Sequence, residues 1–95
     1  MKSLIFSPAA QADMDAVWDY TLEHWGLDQA ERYTDDIRDV CHDLVLGHRQ
    51  GRPVNVRPGY LKCPVGSHVI YFRDYHDRIE VVRILHGRMD VNRHL

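Results

Sequence analysis

The hydrophobic positions of the chain change their period from about 3.6 to two near its middle, and smaller punctuation marks divide each half. Lys2 to Phe6 is a short β-prone run stopped by Ser7-Pro8, a pair suited to cap and open a helix. Beyond it Ala10, Met14, Val17, Trp18, Thr21 and Trp25 recur at steps of three and four and so share one helical face. Asp13, Asp15, Asp19 and Glu23 mostly fall elsewhere, and Trp25-Gly26 ends the helix. Asp28-Gln29-Ala30-Glu31 predicts the N-cap and reciprocal acid of a second helix. Its stripe is Ala30, Tyr33, Ile37, Val40, Cys41 and Leu44, closed by Gly47. So short a gap between two helices predicts an antiparallel hairpin.

From Gly47 to Gly59 the chain is polar, broken by Gly and Pro, and reads as a connecting loop. Three β-rich runs follow, Tyr60 to Cys63, His68 to Tyr75 and Arg78 to Leu85, separated by Pro64-Val65-Gly66-Ser67 and by His76-Asp77. Val69-Ile70-Tyr71-Phe72, Val81-Val82 and Ile84-Leu85 are apolar at consecutive positions, so both faces of the central strands need cover. The helices cover one. The tail, Gly87 to Leu95, is long enough only for a helical turn laid on the sheet. The predicted fold is α+β, one domain over residues 1–95, in the order β-α-α-β-β-β. It has an antiparallel sheet of about four strands with the helical hairpin on one face. Trp18, Trp25, Tyr33, Ile37 and Leu44 are the expected core of that hairpin.

Charge sharpens this picture. Residues 1–48 hold three basic residues against ten acids, a balance of −7, whereas residues 49–95 hold nine against four, a balance of +5. Ten of the twelve basic residues are Arg, whose planar fork suits carboxylates and phosphates, so the basic half points to an acidic partner. No apolar run approaches the roughly 20 residues of a membrane span, and the expected compartment is the cytoplasm. Cys41 falls on a helical stripe and Cys63 in a strand, which predicts buried free thiols.

Four stretches carry a family resemblance. They are His24-Trp25-Gly26-Leu27 with Gln29-Ala30-Glu31-Arg32-Tyr33; Arg57-Pro58-Gly59-Tyr60; Gly66 to Arg73; and, most specific, Arg83-Ile84-Leu85-His86-Gly87-Arg88-Met89-Asp90. Together with the order of elements they resemble the ParE branch of the RelE/ParE toxins over nearly the whole chain. The resemblance implies the toxin of a type II toxin-antitoxin system, inhibiting DNA gyrase and silenced by the acidic, amphipathic C-terminal segment of a ParD-like antitoxin. A basic half and an incompletely covered apolar sheet face suit such a segment. The expected antitoxin or effector surface is Arg57, Tyr60, Arg73, Arg83, His86, Arg88, Met89, Asp90 and Arg93.

The rival class is a RelE-like ribosome-dependent endoribonuclease, for which Lys62, Arg73, Arg83, His86 and His94 are the candidate acid, base and cationic groups. The chain's net charge of −2 and the carboxylate of Asp90 oppose binding to a field of phosphates. No catalytic residue, direct nucleic-acid contact or cofactor is therefore expected. His86, Asp90 and His94 are spaced by four, as ligands on one helical face would be, but seven His in 95 residues make such spacings cheap, and no metal is expected. Ser67-His68 lacks a nucleophile elbow. Arg83, inside an apolar strand, needs a carboxylate, and Asp90 is the first candidate.

Overall fold

A computed structural model describes residues 2–95. The chain runs β1 (Ser3–Phe6), α1 (Pro8–Trp25), α2 (Leu27–Leu46), β2 (Arg52–Pro53), β3 (Leu61–Val65), β4 (His68–Asp74), β5 (Arg78–His86) and α3 (Val91–His94). Ser7 caps α1, its Oγ accepting from the Ala10 amide at 3.0 Å, with Pro8 in the first turn as expected. Gly26 alone joins the helices. At φ 89° it both ends α1 and begins α2, so Asp28 lies inside the first turn and makes no capping bond, contrary to the expected N-cap. The carboxylate still sits where the helix dipole favours negative charge.

The sheet has five strands in the order β1-β5-β4-β3-β2. It is mixed instead of antiparallel, because β1 pairs in parallel with β5, Ser3 opposite Arg78 through Phe6 opposite Val81. The fifth strand comes from the expected loop, where Arg52 and Pro53 pair with Lys62 and Leu61. β3 also runs on through Pro64 and Val65, leaving Gly66-Ser67 as the turn. Pro64 is tolerated because β2 pairs no further along β3 than Lys62, so the missing N–H faces an open edge.

In β5 one extra residue, Val82, separates the pairs Phe72–Val81 and Tyr71–Arg83. This bulge shifts the phase of the strand. Ile79, Val81 and Ile84 consequently face the helices with Ile70 and Phe72 of β4, in a core completed by Ala10, Met14, Val17, Ile37, Val40, Cys41 and Leu44. On the opposite face Tyr71 and Leu85 join Val54, and Tyr60, Val69, Val91 and Leu95 pack around them. The loop and the C-terminal turn thus supply cover for the second face. Cys41 and Cys63 are buried and free; burial, with Cys63 nearby, pushes the Cys41 thiol up to about 12.

Of the five hairpin residues expected in the core, Ile37 and Leu44 are buried, and Tyr33 is half-buried against the cluster. Trp18 is half-buried, and Trp25 is 72% exposed. Trp25 keeps the helical phase of the stripe, but it ends α1, one turn beyond Thr21, the last buried residue of that helix.

Candidate functional site

At one end of the sheet the core strands are bolted to α1. β1 reaches only as far as Val81 along β5, which leaves the next stretch of that edge without a strand neighbour. Side chains take its place: the Ser7 hydroxyl donates to the Val82 carbonyl at 2.7 Å, and the Ile84 amide donates to Asp13 Oδ2 at 2.9 Å. Asp13 also receives both arms of Arg83, Nε at 2.7 Å and Nη2 at 2.8 Å, while Arg83 Nη1 donates to the His94 carbonyl at 3.2 Å. This bidentate bond raises the Arg83 pKa. The expected partner, Asp90, instead caps α3 by accepting from the Asn92 amide at 3.0 Å. Seventy positions separate Asp13 from Arg83, whereas Asp90 is merely close in sequence.

Beside this knot the β3–β4 turn is clamped to α2. The Tyr33 hydroxyl accepts from the Ser67 amide at 3.0 Å and lies 2.6 Å from His68 Nδ1. Burial raises the tyrosine pKa, and burial together with nearby His86 lowers that of His68, against an opposing pull from Asp13. Gly66, at φ 55°, leaves the space the tyrosine ring needs: a Cβ there would lie 2.6 Å from Tyr33 Cε1.

A groove opens between α1 and this end of the sheet. One hollow, about 330 Å³, is lined by Asp13, Val17, Tyr20, Thr21, Ile84 and Met89 among others. A second, about 320 Å³, adds Trp25, Gln29 and Tyr33, and the two share Tyr20, Thr21, His68 and His86. Three large apolar side chains stand open along it: Trp25, Tyr20 at 61% and Met89 at 48% exposure. The Tyr20 ring is held by stacking on His24, with centroids 3.9 Å apart.

The far end of β4 is different in chemistry. Arg57 lies over the Tyr60 ring at 5.6 Å, Arg73 over Tyr60 and Tyr75 at 5.2 Å each, and Arg78 over Tyr75 at 3.9 Å. Arg78 has Asp77 at 2.9 Å. Among the described residues Arg57 and Arg73 have no carboxylate within ion-pair distance, although Glu80 stands opposite Arg73 in the strand register.

The surface expected from the sequence therefore divides. Arg57, Tyr60 and Arg73 come together in the ladder; His86 and Met89 line the groove; Arg83 is withdrawn into its ion pair. Arg88 is exposed, and Arg93, also exposed, lies 4.0 Å from Asp90. Asp13 and the His94 carbonyl take three of the five N–H donors of Arg83, which is 22% exposed. His86 is the last residue of β5 and α3 starts only at Val91, so His86, Asp90 and His94 do not share a helical face. The structure adds Asp13, Tyr20 and His68 to the groove, and Tyr75 and Arg78 to the ladder, beyond the residues expected from the sequence. The Arg73-x-Tyr75 alternation was a readable signal for the ladder, since residues two apart in a strand share a face.

The family model described as the ParE toxin of the type II toxin-antitoxin system parDE matches residues 4–91. The chain belongs to the ParE toxin family. It is similar to Toxin ParE1 of Mycobacterium tuberculosis, at 43% identity over 93 residues covering 96% of this chain and 95% of that one. Toxin ParE1 of Caulobacter vibrioides is 35% identical over 96 residues, covering 100% and 99%. Among solved structures, the chromosomal ParDE TA system from P. aeruginosa superposes with a TM-score of 0.78 at 28% identity, covering 90% of this chain and 96% of that chain. In this ParE-family chain no helix among the described residues is long and apolar enough to cross a membrane.

Proposed function

We propose that this ParE-family toxin acts by binding and not by catalysis, that a ParD-like antitoxin neutralises it by seating an apolar segment in the α1 groove, and that the free toxin inhibits DNA gyrase in the cytoplasm. The observation that carries the antitoxin reading is the convergence of Trp25, Tyr20 and Met89, all exposed, on one groove. Aromatic anchors in a concave apolar setting are the usual carriers of binding energy, and such surface is costly to leave in water. The P. aeruginosa relative comes from a ParDE system, which supports an antitoxin partner here.

A toxin that works by contact needs no reacting group. The RelE-like alternative asks Arg83 to stabilise charge beside His86, yet its guanidinium is committed to Asp13. Replacing Trp25 by Ala should weaken co-purification with the antitoxin at least about tenfold, since buried interface anchors contribute roughly 2 kcal/mol or more. Unchanged capture would remove the groove from the interface. For the target, purified toxin should block supercoiling by gyrase, and its induction should raise a DNA-damage reporter before translation falls. Prompt loss of translation, with cleaved transcripts that depend on His86, would instead establish the ribonuclease.

A further inference from the structure

The face of the sheet opposite the helices carries a second surface that the groove does not use. Lys62 on β3 pairs with Tyr71 on β4, Arg73 follows two positions on, and Tyr60, just before β3, packs with Tyr71, so all four lie on this face. Arg52 pairs with Lys62, and the two join Arg49 around a cleft of about 590 Å³ with no acidic residue in its lining. Two positions along β4 from Tyr71, which is buried against Val54, Arg73 belongs to the Arg57–Tyr60–Arg73–Tyr75–Arg78 ladder on the same face. Cations dominate the whole track; the carboxylates near it are Asp77, which pairs with Arg78, and Glu80.

Two kinds of anionic polymer suit a cationic track, and the tyrosines separate them. Single-stranded nucleic acid is held by stacking its bases on free aromatic faces. Here each of Tyr60 and Tyr75 already has two guanidiniums within 5.6 Å of its centroid, which leaves little ring surface for a base. A guanidinium lying on a ring keeps its N–H edge free, and that edge is what a carboxylate accepts from in paired bonds. An acidic peptide therefore fits better.

We propose that this track is the docking site for an acidic, extended peptide segment of the protein the toxin poisons, and that it is separate from the antitoxin groove. The proposal rests on the reading of the chain as a toxin that acts by contact. Separation follows from the fold: His68 in the groove and Arg73 in the ladder lie five positions apart on β4 and face opposite sides of the sheet, on the order of 17 Å along the strand. The antitoxin then excludes the target by its bulk and leaves the track itself open.

The test uses a fluorescent peptide of alternating Glu and Ala, about eight residues long to span the track, and an oligo-dT of similar length. The peptide should bind free toxin and the toxin–antitoxin complex alike, more weakly as salt rises. Arg57→Gln, on an exposed loop, and Arg73→Gln should each weaken it about tenfold, as loss of a charge-assisted bond does. Both variants should lose growth arrest while capturing antitoxin normally. Peptide excluded from the complex would make the antitoxin the occupant, and tighter binding of oligo-dT would make the track a nucleic-acid site. Either result overturns the proposal, as would full growth arrest by the two variants. Failure of Trp25→Ala to affect antitoxin capture would sink the groove assignment alone and leave these outcomes readable.

Discussion

Arg73 and Arg83 stand on neighbouring strands of one sheet and have opposite fates. Arg83 lies where α1 and the tail close over the strand; it is 22% exposed, and Asp13, at 15%, holds it with two bonds. Arg73 lies at the open end, with two tyrosine rings and no ion pair among the described residues. Both are half-buried, so what differs is what lies within reach: Asp13 of α1 meets the guanidinium of Arg83, whereas that of Arg73 meets aromatic rings and keeps its N–H edge for water or a partner. The closed end spends its charges on stability, and the open end leaves them available.

The closed end depends most on Asp13. Asp13→Ala strands both the Arg83 guanidinium and the Ile84 amide, and should cost about 3 kcal/mol in urea unfolding. Adding Arg83→Met should recover part of that loss; no recovery would mean that Asp13 acts through the backbone amide alone. Gly66→Ala, also at the closed end, forces a left-handed backbone and a Cβ against the Tyr33 ring, for an expected cost of about 2 kcal/mol. A midpoint equal to that of the native chain would show that the turn readjusts freely.

At the open end the stability effect should be small. Arg73→Gln removes two half-buried cation–π contacts and should lower stability by about 0.5–1 kcal/mol; a loss as large as that of Asp13→Ala would erase the distinction between the two ends. The smallest effect is expected from pH. His68, facing Tyr33 of α2, His86 of β5 and the charge of Asp13 on α1, has a pKa held below the ordinary 6.5, so the unfolded chain binds its proton first. Its contribution is present above pH 6.5 and is lost as pH falls from there through the lowered folded value, and His68→Gln should flatten that limb of the stability curve. An unchanged slope would mean that His68 titrates as it does in the unfolded chain.

Short-range pattern was enough to place the helices, the long strands and the family. The two helices follow from a 3.6-residue period over Ala10–Trp25 and Ala30–Leu44, and Ser7-Pro8, Gly26 and Gly47 mark their limits. The three long strands follow from dense β-branched and aromatic runs, and the family from motifs spread along the chain. Local pattern carries no information about partners distant in the chain. Only the tertiary structure put β1 in parallel beside β5, made a strand of Arg52–Pro53, and gave Arg83 to Asp13 in place of Asp90. Trp25 shows the same limit, because its place on the stripe sets its direction, and burial along that stripe stops at Thr21, one turn earlier. The residues of the expected functional surface, five of them Arg, all fall between positions 57 and 93 and look like one patch along the chain. The β5 bulge and the two faces of the sheet divide it into a groove and a ladder, since a strand sends alternate side chains to opposite sides whatever their chemistry.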